Sequence, residues 1–300
     1  MKSLRVVLIG CVDSTEVALS TLLSLGDKGV SCAGLITRRM SHFNTDFVDL
    51  LPLANAKGVP FRAVEDCESD EQLVTWMREI APDLTLVVGW SRLLGPALLS
   101  IPRVGTIGYH PAALPANRGR HPIVWALALG LTETASSFFL MGEGADDGPV
   151  MNQQKVTIDI EDDARTLYDK LLAIMPMQIS QIVDGLMSGK LKGVPQDRRL
   201  ANYWRKRSVE DGRIDWRMSA VSIYNLVRAL GPPYPGAHLM YQGRQVKVWK
   251  CRAEPANAKN IEPGKILNAD DGTLLVKAGE GAIRLLDTDP FVPPKEGDYL

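Results

Sequence analysis

The chain has 300 residues, of which 34 are basic and 35 acidic, so its formal net charge is -1. This balance provides no global positive field, and a nucleic acid is therefore not the expected partner. Hydrophobic residues make up 45% of the sequence, but no apolar run reaches the 18 or more residues that a membrane span requires. The composition is that of a globular protein with no membrane partner.

The spacing of the cysteines and the opening segment of the sequence indicate the cellular compartment. The four cysteines show neither C-x-x-C nor Cys/His ligand spacing, which speaks against a disulfide framework and a metal site. The opening segment MKSLRVVLIG has no small-residue cleavage site after its apolar run and is interpreted as a first strand. We therefore expect a cytoplasmic protein without a metal. The cysteines are Cys11, Cys32, Cys67 and Cys251.

The first 90 residues alternate between strand-like and helix-like patterns. Apolar runs followed by glycine-containing turns and amphipathic stretches predict strands at 4–9, 30–37, 59–64 and 84–90. The stretches between them predict helices at 17–25, 46–57 and 70–80. Alternation of this kind predicts a Rossmann-like α/β fold, with a mostly parallel sheet and helices on its faces.

The second half of the chain changes character near residue 195. Before it, we expect a helix at 122–129, strands at 135–141 and 150–158, and a long helix at 162–188 kinked at Pro176. After it come a helix at 220–230 and short strands at 238–241, 245–252, 264–267, 273–277 and 282–286. The pattern predicts a larger α/β domain over 1–200 and a smaller, mainly β domain over 201–300.

Ligands of parallel sheets bind beyond the carboxyl ends of the strands. Gly10, the segment 89–91 and the segment 108–110 stand at such ends. The turn GCVDST after the first strand lacks the G-x-G-x-x-G pattern, so the sequence does not support a dinucleotide site.

His110 is the histidine whose position favours chemistry. It ends a predicted strand, whereas His42 lies in a polar connector and His238 stands at the start of a predicted strand. Asp146 and Asp147 follow in a glycine-flanked turn. A histidine oriented by a carboxylate is a common general acid/base pair, because imidazole titrates near neutral pH. Plain turn chemistry is the alternative for the two aspartates.

Three segments occur here in the order that is typical of one enzyme family. They are HPAALPANRGRHP at 110–122, LGLTET at 129–134 and ADDG at 145–148. This arrangement resembles the folate-dependent formyltransferases, a family that includes methionyl-tRNA, glycinamide ribonucleotide and sugar-nucleotide enzymes. The resemblance extends upstream through DLTLVVGWSRLLGPALLSIP and downstream through YWRKRSVEDGRIDW and LVRALGPPYPGA, and so covers most of the chain.

The resemblance implies a formyl donor, 10-formyltetrahydrofolate, and a mechanism. An acceptor amine would attack the formyl carbon, and His110 would relay the proton and stabilise the tetrahedral oxyanion. Asp146 matches the aspartate of the family's D-x-G turn and would position the imidazole or a water. Asp147 falls at a variable position of that turn and is expected to be a turn residue that lies near the folate.

One residue departs from the family pattern. The family has N-x-H, whereas this chain has G-Y-H, with Gly108 in place of the asparagine. Losing one oxyanion donor costs about 2.7–4 kcal/mol in comparable sites. Asn117, His121, Tyr109 or a backbone N–H could replace it, and a protein that binds folate or a nucleotide without turnover is a further alternative.

The acceptor is expected to be a nucleotide-linked amino sugar, because RGRHPIVW resembles the sugar-nucleotide branch and the charge is near neutral. Guanidinium groups suit a diphosphate, and aromatic rings can stack on a base. Methionyl-tRNA or a hydroxyornithine-type amine is the alternative acceptor, and a homodimer is possible. The acceptor-binding candidates are Arg118, Arg120, Tyr203, Trp204 and Arg205, and the folate-binding candidates by analogy are Val88, Gly89, Trp90, Leu93, Ala145 and Asp147.

Overall fold

The computed structural model describes residues 3–41, 45–65, 70–256, 260–270 and 272–300, which form two compact units. Unit 1 comprises Met1–Gly119, Thr134–Val156 and Asp169–Trp204, and unit 2 comprises Arg120–Glu133, Thr157–Tyr168 and Arg205–Leu300. Both units are discontinuous in sequence, and the expected domain division at residue 200 stays a prediction. His42 and Cys67 lie outside the described residues.

Fourteen strands and seven α-helices are assigned within the described residues. The strands are β1 (Leu4–Ile9), β2 (Val30–Thr37), β3 (Phe61–Ala63), β4 (Leu84–Val87), β5 (Gly105–His110), β6 (Arg118–Gly119), β7 (Glu133–Leu140), β8 (Val150–Thr157), β9 (Tyr203–Trp204), β10 (Ala237–Tyr241), β11 (Arg244–Glu254), β12 (Ile266–Asp270), β13 (Thr273–Lys277) and β14 (Ala282–Thr288). The helices are α1 (Asp13–Ser24), α2 (Leu51–Ala56), α3 (Asp70–Ile80), α4 (Pro96–Leu99), α5 (Pro122–Ala128), α6 (Ala164–Met187) and α7 (Ala220–Leu230), and short 3-10 helices cover Gly26–Lys28, Arg198–Leu200 and Glu210–Gly212.

A seven-stranded sheet forms the centre of unit 1, in the order β3-β2-β1-β4-β5-β7-β8. The first five strands in this order pair in parallel, and β7 runs antiparallel to β5. The Rossmann-like, mostly parallel core predicted from the alternating pattern is therefore confirmed. Its strand order puts the ends of β4 and β5 side by side, which is where the ligand site is expected.

Helices cover both faces of this sheet, so its strands are apolar on both sides. On one face Leu8, Leu86 and Phe138 pack with Ile179 and Ile182 of α6. On the other face a second cluster joins strand residues to α3 and α4, and its members include Val7, Ile9, Val87, Met77 and Leu98. The two clusters therefore bury both faces of the sheet.

Unit 2 contains a five-stranded antiparallel sheet in the order β10-β11-β14-β13-β12. Helix α7 packs on β11, and α5 packs on α7. Gly130 ends the α5 segment with φ +68°, and a Cβ there would lie 2.7 Å from Nδ2 of Asn225. The predicted mainly β character of the C-terminal part is confirmed.

Several predicted element boundaries were wrong. The helix expected at 46–57 covers only Leu51–Ala56, because Asp49 Oδ1 accepts from the backbone N–H of Leu51 at 3.0 Å and starts it there. The strand expected at 84–90 ends at Val87, since Gly89 turns the chain with φ +68°. The long helix expected at 162–188 is present as α6 and contains Pro176, and the kink expected at this residue stays a prediction.

No helix in the described ranges is long and apolar enough to cross a membrane. Those ranges also contain no group of three or more His, Cys, Asp or Glu side chains that could hold a metal ion.

Candidate functional site

His110 ends β5 and lies almost wholly inside unit 1, with 5% of its surface exposed. Its Nε2 atom lies 2.7 Å from the backbone oxygen of Asn117. A carbonyl oxygen only accepts hydrogen bonds, so this ring nitrogen carries a hydrogen. In the neutral ring the other nitrogen, Nδ1, is then left with a free lone pair. His110 is therefore preset to accept a proton at Nδ1.

Asp146 faces that second nitrogen. Its Oδ2 atom lies 3.7 Å from Nδ1 of His110 and accepts a 2.9 Å hydrogen bond from the backbone N–H of Gly119. The turn that carries Asp146 is tight, because a Cβ at Gly148 would lie 1.8 Å from the backbone oxygen of Leu140. A proton taken up at Nδ1 would thus create an imidazolium beside a fixed carboxylate, which stabilises it.

Gly108 faces the same side of β5 as His110, because side chains two residues apart share a face. A Cβ at Gly108 would lie 2.9 Å from Cγ and 3.0 Å from Sδ of Met141, and 3.0 Å from Cζ of Phe139. The space next to position 108 is therefore filled by these two side chains. Met141 thus lies where a side chain at position 108 would extend, which the sequence analysis did not predict.

The three oxyanion candidates occupy different surroundings. Tyr109 points to the opposite face of β5, where its ring lies 5.0 Å from that of Phe138 and its hydroxyl accepts from Ser136. Burial raises the pKa of Tyr109, which keeps the phenol neutral. Asn117 lies beside His110 with φ +63°, and its backbone groups bond to His110 and Asn202.

His121 belongs to unit 2, where it precedes α5 with φ +55°. Burial lowers the pKa of His121, and the positive charges of Arg120, Arg207 and Lys206 lower it further. The ring is thereby held neutral near pH 7.

Arg118 differs from the expectation of a diphosphate contact. Only 2% of its surface is exposed, and its guanidinium donates to Oε1 of Gln196 and to the hydroxyl of Tyr203. The same group lies over the Tyr203 ring at 5.4 Å. Arg118 makes these contacts because β6 pairs with β9, which brings residues 118–119 against Tyr203 and Trp204. The guanidinium of Arg118 therefore faces other groups of the protein.

The remaining basic candidates lie in unit 2. Arg205 is exposed, with 63% of its side chain accessible, and forms an ion pair with Asp211. The guanidiniums of Arg205 and Arg207 lie 5.3 Å and 4.8 Å from the centre of the Trp125 ring. Because Arg120 and Lys206 are also close enough to lower the pKa of His121, these side chains form one basic and aromatic cluster.

The folate candidates of unit 1 follow the ends of β4 and β7. Gly89 turns with φ +68°, and the indole Nε1 of Trp90 is buried without a hydrogen-bond partner in the described residues. The backbone oxygen of Val88 accepts from Thr15 at 2.7 Å, and Leu93 is 75% exposed. Ala145 is also exposed, and the Asp147 carboxylate lies over Gly144.

Gln196 and Asn202 are further residues at this site that the sequence analysis missed. Both come from the segment after α6, and they contact the loop of Asn117 and the turn of Asp146. Asn202 is 85 residues from its partner Asn117, and Gln196 is 50 residues from its partner Asp146, so periodicity does not show these contacts.

Two family models match the chain: formyl transferase over residues 37–183 and formyl transferase, C-terminal domain, over residues 206–290. The protein belongs to the formyltransferase family. The chain is 32% identical to a methionyl-tRNA formyltransferase from Caldanaerobacter subterraneus subsp. tengcongensis over 303 residues, covering 99% of this chain and 96% of that relative. The expected family and enzyme class are thereby confirmed.

Solved structures share the fold. WlaRD, a sugar 3N-formyl transferase solved in the presence of dTDP and 5-N-formyl-THF, is 14% identical, with a TM-score of 0.68 over 94% of this chain and 96% of that chain. A phosphoribosylglycinamide formyltransferase from Bacillus halodurans is 25% identical, with a TM-score of 0.54 over 61% of this chain and 95% of that chain.

Proposed function

We propose that the protein transfers the formyl group of 10-formyltetrahydrofolate to the amine of methionyl-tRNA. The observation that carries this proposal is the similarity to a methionyl-tRNA formyltransferase along 99% of the chain, including the C-terminal part. The alternative acceptor of the sequence analysis thus takes precedence over the amino sugar.

The His110–Asp146 pair supports the proton transfers of this reaction. As a C–N bond forms between the acceptor amine and the formyl carbon, Nδ1 of His110 takes the proton that the nitrogen loses. Asp146 stabilises the resulting imidazolium across 3.7 Å. His110 then gives the proton to N10 of the folate as the original C–N bond breaks, so proton and charge balance.

Asn117 is the best placed replacement for the oxyanion donor absent at position 108. Its backbone oxygen touches the His110 ring, and its side-chain amide makes no hydrogen bond within the described ranges. An amide N–H from a residue whose backbone contacts the imidazole could donate to the negatively charged oxygen of the intermediate. In this arrangement Asn117 would stabilise the oxyanion at the formyl carbon, and His110 would transfer the proton.

Residues after β4 fit the folate. The indole N–H of Trp90 is a buried donor without a partner in the described residues, and it could donate to a polar heterocycle; the turn at Gly89 directly precedes it. The Trp90 ring also lies 5.1 Å from the guanidinium of Arg38. These groups would bind the donor and orient its formyl group.

The C-terminal part of the chain carries an excess of positive charge, which favours binding of tRNA. Residues 205–300 contain 15 basic and 12 acidic residues, and three of the basic ones are consecutive, from Arg205 to Arg207. Phosphate groups bind to local basic clusters of this kind, and the affinity then depends on salt. The basic and aromatic cluster of unit 2 is the proposed contact with the tRNA.

A nucleotide-linked amino sugar is the second candidate acceptor. It is favoured by the net charge of -1, because the chain as a whole does not attract a large polyanion.

The test is formyl transfer from 10-formyltetrahydrofolate to three classes of acceptor in parallel: methionyl-tRNA, dTDP- or UDP-linked amino sugars, and hydroxyornithine. Product is followed by mass, with His110→Ala as the inactive control. Formyl-methionyl-tRNA that is lost in the control supports the proposal. Product from a sugar or hydroxyornithine alone, or folate binding without any product, contradicts it.

A further inference from the structure

The turn that carries Asp146 is held by one side-chain amide. Nε2 of Gln196 donates to the backbone oxygens of both Asp146 and Gly148, at 2.8 Å and 2.7 Å. The two hydrogens of a primary amide thus bond to the two carbonyls that flank position 147. Asp146 has φ +54°, a conformation that a non-glycine residue adopts at some cost and that surrounding contacts must hold.

The orientation of Gln196 is set by Arg118. Nε and Nη2 of Arg118 donate to Oε1 of Gln196 at 3.1 Å and 2.7 Å, while Nη1 donates to the Tyr203 hydroxyl at 2.7 Å. Arginine only donates and a backbone carbonyl only accepts, so the amide of Gln196 has one orientation that satisfies both. A buried guanidinium makes that orientation costly to lose.

The carboxylate of Asp146 is held by the residue next to Arg118. Its Oδ2 atom accepts from the N–H of Gly119, the residue after Arg118. Gly119 is itself locked against β9, because φ is +102° and a Cβ there would lie 2.3 Å from the backbone oxygen of Trp204. Both the carbonyl and the carboxylate of Asp146 are therefore positioned by Arg118 and its neighbours.

We propose that Gln196, oriented by Arg118, is a positioning residue that holds the Asp146 carboxylate at its working distance from His110. The inference rests on the role proposed for Asp146 in formyl transfer. The hydrogen bonds of Gln196 go to Arg118 and to the turn of Asp146, so Gln196 would act on His110 only through that turn.

The deciding variant is Gln196→Glu. A glutamate keeps the size of the side chain and the acceptor that Arg118 requires, but it has no N–H to donate to the turn. We expect kcat to fall about 10- to 100-fold, while KM for the folate and for the acceptor stay within about 2-fold. Gln181→Glu is the matched control, because Gln181 bonds to Asn152 and not to this turn.

A second arm separates positioning from general damage. In an Asp146→Asn background, which keeps the backbone carbonyl, Gln196→Glu should cause no further loss of kcat, since the two changes affect one function. The proposal would be overturned if Gln196→Glu lowered kcat equally in the wild-type and Asp146→Asn backgrounds. It would also be overturned if Gln196→Glu alone left kcat unchanged.

A third arm requires no acceptor. Crystal structures of the unliganded wild type and Gln196→Glu should show Asp146 Oδ2 more than 3.7 Å from His110 Nδ1 in the variant only. An unchanged distance overturns the proposal even if activity falls. The kinetic arms use whichever acceptor is turned over, so inactivity toward methionyl-tRNA would refute the proposed acceptor and leave the positioning inference to be decided here.

Discussion

Nδ1 of His110 lies 3.7 Å from Oδ2 of Asp146, while the opposite ring nitrogen is held by the backbone oxygen of Asn117. The distance is too long for a direct hydrogen bond and short enough for strong attraction once the ring is protonated. This geometry supports the proposed role of His110, in which the ring gains a proton during the reaction and returns it afterwards.

Replacing His110 by glutamine should lower kcat about 100- to 10,000-fold, because a positioned general acid/base contributes that much. The glutamine amide can still donate to the Asn117 carbonyl, so thermal unfolding should change little. The measurement is the rate of formylated product formation. His238→Gln is the control, because His238 is also buried but lies in β10 of unit 2; an equal loss in both variants would contradict the assignment.

Restoring asparagine at position 108 should damage this chain unless its neighbour is also changed. The new side chain would meet Met141 and Phe139, and overpacking of this kind costs about 1–3 kcal/mol. The double variant Gly108→Asn/Met141→Ala should regain stability and increase kcat by up to about 100-fold, because it adds an oxyanion donor.

Denaturant unfolding and single-turnover rates of both single variants and the double variant test this account of Gly108. A Gly108→Asn variant that is as stable as the wild type and faster would show that Met141 does not fill the site.

Arg205→Ala should weaken binding of methionyl-tRNA and reduce the slope of log K against log salt by about 0.7–0.9, the range for one phosphate contact in single-stranded and duplex nucleic acids. Arg217→Ala is the control, because Arg217 lies in the same unit, forms a similar pair with Asp215 and is exposed over 84% of its side chain, compared with 63% for Arg205. The measurement is tRNA affinity at several salt concentrations. Equal slopes in both variants and the wild type would exclude Arg205 from the tRNA contact.

Glu254 should make the C-terminal sheet sensitive to acid. Hydrogen bonds from Arg284 and Arg252 lower the pKa of Glu254 to about 2. The unfolded chain binds this proton near its ordinary pKa of 4.5, so stability is present above that pH and is lost as pH falls toward 2. Glu254→Gln should cost about 1–2 kcal/mol at pH 7 and little near pH 2.

Urea unfolding of wild type and Glu254→Gln across this pH range is the measurement. A stability difference that does not change with pH would show that the ion pairs of Glu254 contribute nothing.

The sequence predicted the parts of the fold that depend on local pattern. Apolar runs and turns predicted the parallel sheet, and the position of His110 at a strand end, together with the family motif, indicated the candidate site, which stays a prediction. Helix α2 begins five residues later than predicted, because a side-chain contact of Asp49 decides its start.

Contacts between distant segments could not be predicted in the same way. Arg118 was expected to face a ligand, but its partners Gln196 and Tyr203 lie 78 and 85 residues further along the chain. The filling of the space at Gly108 by Met141 likewise depends on the pairing of β5 with β7, which no single segment encodes.

We propose that the His110–Asp146 pair transfers protons during formylation of methionyl-tRNA. The most direct measurement is single-turnover formylation of this acceptor from 10-formyltetrahydrofolate by wild type, His110→Gln and Asp146→Asn, with binding of both substrates measured separately. We predict rapid product formation by the wild type and slow formation by both variants, with nearly unchanged binding. Unchanged rates in either variant, or a wild type that binds both substrates and forms no product, would contradict the account.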